Sequence, residues 1–62
     1  MWIRNQQGYF VASIHGVVYV TWVSENAKAH AAVFPRELIE WWIEIVGKIT
    51  GDTVVAVERD AE

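Results

Sequence analysis

Two histidines, His15 and His30, and two serines, Ser13 and Ser24, are the first residues of this 62-residue chain to suggest chemistry. With Glu25 the histidines could supply three metal ligands, but no spacing among them matches a metal-binding motif. Neither serine lies in the glycine-flanked turn that presents a hydrolase nucleophile. No glycine-rich loop precedes a helix, as a phosphate cradle requires. Glu40 and Glu44 form a like-charge i,i+4 pair, and Glu44 with Lys48 a favourable one, the pattern of a solvated helix face. The chain has no cysteine, which excludes disulfides and thiolate metal sites. A concave pocket also needs more scaffold than so short a chain readily provides. The reading is a protein that is not an enzyme, with no catalytic residue, metal, cofactor or small-molecule substrate.

Binding is the remaining class of function, and the composition suits it. Hydrophobic residues make up 53% of the chain, with four Trp, two Tyr and two Phe. A domain of this size buries only about 60% of its unfolded surface, and small folds gain stability from disulfides, metals or partner chains. Here a dense core or oligomerisation must serve. The net charge is −3 and the five basic residues (Arg4, Lys28, Arg36, Lys48, Arg59) are scattered, whereas nucleic-acid binders gather Lys and Arg on one face. No apolar run approaches the roughly 20 residues of a membrane span. The segment "MWIRNQQGYF" carries Arg4 but no apolar h-region or cleavage pattern, so the expected location is the cytoplasm, away from membranes.

The elements that must position any binding residues can be read in order. "MWIRN" reads as a short strand and "NQQG" as a turn, since Asn5 and Gly8 tolerate unusual backbone angles. "YFVASI" and "VVYVTWVS" alternate as strands around His15-Gly16, a hairpin signal. A three-residue loop, with Gly16 left-handed, would pair Ala12 with Val18 and Phe10 with Val20. That register collects Phe10, Ala12, Ile14, Val18, Val20 and Trp22 on one apolar face and is preferred over a two-residue turn. "SENAKAHAAVF" reads either as a short helix capped by Ser24 or, over "AHAAVF", as a strand; the preferred form is a helical turn or irregular connection into Phe34. "PRELIEWWIEIVGKITG" predicts the main helix over about residues 35–49, with Pro35 at its first position and Gly51 as a stop. "DTVVAVERD" reads as the last strand and residues 60–62 as a flexible acidic tail. The order β-β-β-α-β in one domain predicts an α+β fold: an antiparallel sheet of three to four strands with one helix on one face.

"LIEWWIEIVG" holds the adjacent pair Trp41 and Trp42. At roughly 100° per residue, the polar side chains Arg36, Glu37, Glu40, Glu44 and Lys48 fill one arc of about 120°. Trp42 then lies near the middle of a wide apolar arc, close to Leu38, Val46 and Ile49. Trp41 lies at its border, where it either laps over the sheet edge or anchors a protein contact. The sheet face away from the helix would carry Tyr9, Val11, Ser13, Tyr19, Thr21 and Val23. It reads as a solvated antiparallel face, a homodimer surface or the seat of a foreign partner. Aromatics on a sheet can also stack nucleic-acid bases, a use that the negative charge disfavours.

The pattern "GYFVAS", then "YVTWVSEN", then "AKAHAAVF", then a helix and "VVAVE", resembles that of small phage and prophage proteins. Some proteins of that build inhibit host machinery by occluding a surface, anti-CRISPR proteins and inhibitors of host RNA polymerase among them. The resemblance implies a small protein of a bacterial host's cytoplasm that binds and inhibits or regulates a host protein complex. The helix here is richer in aromatics than the pattern. The expected partner-binding residues are Trp41 and Glu44 on the helix border and Tyr9, Tyr19 and Thr21 on the open sheet face. The alternatives are a homodimer through that face and a weak nucleic-acid-binding module.

Overall fold

The computed structural model describes residues 1–59, so the tail at 60–62 lies outside the described residues. Strands β1 (Trp2–Asn5), β2 (Phe10–His15), β3 (Tyr19–Val23) and β4 (Val54–Val57) form one sheet in the order β3-β2-β1-β4, every pair antiparallel. Helix α1 (Ile39–Thr50) packs on one face, giving the α+β architecture that the order of elements predicts.

Asn5 closes the first turn. Its carboxamide oxygen accepts the backbone N–H groups of Gln7 (3.0 Å) and Tyr9 (2.9 Å), which satisfies the buried side chain of Asn5 and fixes the turn as Asx side chains do. Gly8, at φ 91°, supplies the left-handed residue.

The β2–β3 hairpin has a three-residue loop, but two positions later than the sequence pattern suggests. Residues 16–18 turn, Gly16 is left-handed at φ 61°, and His15 pairs with Tyr19 and Ile14 with Val20. The register then shifts between Ser13–Thr21 and Val11–Trp22. Ala12 is therefore the extra residue of a bulge, and alternation along β2 inverts across it. Three expected placements, those of Val11, Phe10 and Val18, are corrected. Val11, assigned by strict alternation to the open face, is fully buried on the helix side, while Phe10 is buried in a separate cluster on the opposite face. Val18, assigned to the core, is exposed in the loop.

The connection after β3 is a 3-10 segment, Glu25–His30, followed by extended residues. β1 and β2 are in register at Arg4 opposite Phe10. Residues 31–34 then bond to β2 and to the residue that precedes β1: Ala32 N–H donates to the Val11 carbonyl (2.9 Å), Phe34 N–H to the Met1 carbonyl (2.7 Å), and the Met1 nitrogen to the Phe34 carbonyl (2.7 Å). The connection also carries Ala31 onto Trp2 and Phe10, with Val23 and Val57 beside them. Trp2 and Phe10 meet edge to face at 5.5 Å, and the Lys28 ammonium lies 5.4 Å from a Trp2 ring centroid, a cation–π arrangement. The face opposite α1 is thus partly covered, where the one-helix reading left it open.

A 3-10 turn over Arg36–Leu38 leads into α1, and Pro35 stands just outside it in extended backbone, one position earlier than the sequence pattern places it. Gly51, left-handed at φ 74°, ends α1, and its N–H donates to the Gly47 carbonyl (2.7 Å), a helix stop that needs no Cβ. The main core joins Ile39 and Val46 of α1 to Ile3, Val11, Val20, Phe34 and Val54.

Candidate interaction surface

Ile39 and Val46 stand one heptad apart and face the sheet, so they set the inward direction of α1. Trp42 flanks that line. It is half-buried against the core, with its ring 5.4 Å from Phe34. Trp41 lies roughly 200° around the helix from Ile39, pointing away from the sheet, and is 54% exposed. The side chains three and four positions from it share its surface. Leu38 precedes it by one turn and is 48% exposed, a correction to its assignment beside the core. Ile45 follows it by one turn, with Glu44 and Lys48 alongside.

This surface continues toward the hairpin loop. Val17, Ile45, Lys48 and Ile49 line an open groove of about 250 Å³. Val17 and Val18, exposed at 84% and 75%, stand at its hairpin end. The result is an apolar ridge running from Leu38 and Trp41 past Ile45 to Val17, bordered by charged Glu44 and Lys48. A contiguous exposed apolar patch of this kind is what a partner surface can desolvate, and an exposed tryptophan supplies large contact area at small conformational cost.

The uncovered end of the opposite face is polar. The His15 and Tyr19 rings stack at 4.3 Å and 11°. The Ser13 hydroxyl lies 2.9 Å from His15 Nε2 and 2.5 Å from the Thr21 hydroxyl. A serine–histidine pair attacks a substrate when a third group orients the imidazole and donors await the oxyanion. Here the imidazole lies flat on Tyr19 and the hydroxyl is shared with Thr21, so the four side chains form a cross-strand ladder that ties β2 to β3. Among the described residues no group of three or more His, Cys, Asp or Glu is placed to hold a metal. No described helix is long and apolar enough to cross a membrane.

The five residues singled out in the sequence fall in three places. Trp41 and Glu44 share the outer side of α1. Tyr19 and Thr21 share the uncovered side of β3, joined by Ser13 and His15. Tyr9 stands apart: it precedes β2, whereas Tyr19 pairs with the last residue of that strand, a separation of about 20 Å at strand rise. Leu38, Ile45 and Val17 were not singled out. For Leu38 and Ile45 the signal is the excess width of the apolar arc, wider than one sheet contact can cover; Val17 lies in the hairpin loop, where nothing in the sequence places it beside the helix.

Comparison with protein-family models, with curated proteins and with solved structures yields no match.

Proposed function

We propose that this protein works by binding another protein, without catalysis, through the outer surface of α1. The observation that carries the reading is Trp41: a tryptophan turned away from the core of its own chain, half in water, at the centre of an apolar ridge with Leu38 and Ile45. Its cost in solubility is understandable if a partner covers it. Glu44 and Lys48 border the ridge and would set orientation more than affinity.

The partner we favour is a protein complex of a bacterial host, met in the cytoplasm and inhibited or regulated by occlusion of one of its surfaces. An anti-CRISPR-like inhibitor is the most specific form of this proposal, and it draws on the small-phage-protein pattern of the sequence. A photo-crosslinking residue at position 41 tests the reading. The expected result is one discrete adduct with one host protein, displaced by the unmodified chain. Trp41→Ala should then weaken binding to that protein by about thirtyfold or more, as loss of a central aromatic anchor does. Undiminished binding by Trp41→Ala would show that the ridge is not the contact.

A further inference from the structure

The two edges of the sheet are treated differently by the sequence. β4 is four residues long, flanked by Asp52, Glu58 and Arg59, and closed at its end by an Arg36–Glu58 ion pair of 2.5 Å. Short length and charge are how proteins protect an edge from pairing. β3, "YVTWV", forms the other edge: it is one residue longer, carries no proline, lysine or charge within the strand, and has, among the described residues, no ion pair at its end, its nearest charged residue being Glu25 two positions beyond it, and the bulge of the β2–β3 pair lies in β2. One side of it bonds β2, and on the other alternate N–H and C=O groups face outward.

From this we infer that β3 pairs antiparallel with β3 of a second copy of the chain, about a two-fold axis through Thr21. Two-fold symmetry makes the seam isologous. Paired side chains must lie on the same face of an antiparallel sheet, so the axis passes through a residue rather than between two. Centring it on Thr21 is the register that pairs all five residues of β3. It sets Thr21 opposite Thr21, Val20 opposite Trp22 and Tyr19 opposite Val23. These are hydroxyl–hydroxyl and aromatic–β-branched pairs, which stabilise neighbouring strands. The next positions, Val18 and Ser24, also oppose one another without charge. On the helix side the seam covers Trp22, half-buried at the rim of the core. Five residues a side fall short of the roughly 20–30 of a stable interface, so the dimer is a weak one. It approaches the ridge only at its hairpin end, through Val18, and leaves Leu38, Trp41 and Ile45 free for a partner.

The chain has no native cysteine, which makes the seam directly testable. Directly opposed residues in an antiparallel pair have Cα atoms about 4.5–5.5 Å apart, within the roughly 4.4–6.8 Å that a disulfide spans. Under mild oxidation at high concentration, Thr21→Cys should form a covalent dimer about tenfold faster or more than Val55→Cys on the opposite edge, because association raises the effective thiol concentration. Sedimentation of the unmodified chain should show the apparent mass rising from 7.1 kDa toward twice that value as concentration approaches millimolar. Thr21→Lys, which sets two ammonium groups face to face, should remain monomeric. Equal crosslinking at positions 21 and 55, or an unmodified chain that stays monomeric at every concentration, would overturn the inference. The sedimentation result decides the matter even if Thr21→Cys folds poorly.

Discussion

The Trp41 and Trp42 indoles meet edge to face, with ring centroids 4.9 Å apart and planes at 74°. One indole of the pair is held against Phe34 and the core, and the other is held away from it. The T-shaped contact lets the buried ring steady the exposed one, which reduces the entropy lost when a partner orders Trp41. Substituting each in turn separates the two roles. Trp42→Ala removes a half-buried ring from the core and should cost about 2–4 kcal/mol, at or below the lower range for buried aromatics. Trp41→Ala loses only the edge contact and some apolar cover, about 0.5–1.5 kcal/mol. Urea unfolding measures both, and equal losses would place Trp41 in the fold rather than on a working surface.

Val11 and Val17 are six residues apart and opposite in role. Val11→Ala deletes two methyl groups from a fully buried site and should cost about 2–3 kcal/mol in transfer and cavity terms together. Val17→Ala, at the hairpin loop, should stay within about 0.5 kcal/mol of the parent chain, as exposed substitutions do. Thermal melting of the two variants side by side checks this. A mild Val11→Ala would argue that Ala12 is not bulged and that strict alternation holds after all.

The legible parts of the sequence were those decided locally. The Asn5–Gly8 turn, the left-handed glycines at 16 and 51, the helix and the order of strands each follow from residue types within a few positions of one another. What escaped depended on distant partners. Nothing near Ala12 announces a bulge; it makes sense once the extended residues 31–34 bond the Val11 carbonyl and carry Ala31 across the other sheet face. The helix showed an apolar arc too wide for one contact, but its inward direction is fixed by the sheet. That choice moved the centre of the arc from Trp42 toward Val46 and turned Leu38 outward. The candidate surface was therefore half visible: Trp41 and, one turn on, Ile45 belong to the surplus of the apolar arc, whereas Val17 becomes their neighbour only through the packing of the hairpin loop near α1.

Asn5 gives a third test, of the first turn. Its side-chain oxygen accepts two backbone N–H groups in a buried site. Asn5→Ala leaves both donors to find water and should cost about 1–3 kcal/mol. Asn5→Asp keeps the acceptor and should cost clearly less at neutral pH, where the carboxylate receives both bonds. Denaturant unfolding of the two variants ranks them, and a reversed order would mean that the cost of burying a carboxylate at position 5 exceeds the worth of the two hydrogen bonds it accepts.

Gly47 and Gly51 sit one helical turn apart, joined by the Gly51 N–H bond to the Gly47 carbonyl, and alanine should act on them with opposite sign. Gly47 is inside α1, and an added Cβ would lie 3.5 Å from the Asp52 carbonyl oxygen, an ordinary contact. Gly47→Ala gains helix propensity and loses unfolded-state freedom, which should stabilise the chain by about 0.5–1 kcal/mol. Gly51 meets nothing within 4 Å, yet its φ of 74° is left-handed. A Cβ there crowds the following carbonyl and costs about 1–2 kcal/mol whatever space surrounds it. The Thr50 hydroxyl, which donates to the Val46 carbonyl (2.8 Å) and accepts the Asp52 N–H (3.1 Å), keeps the stop in place, so the helix cannot simply run on to relieve that strain. Melting temperatures should therefore move apart, up for Gly47→Ala and down for Gly51→Ala. A rise for both would show that α1 ends by fraying rather than at a fixed left-handed cap.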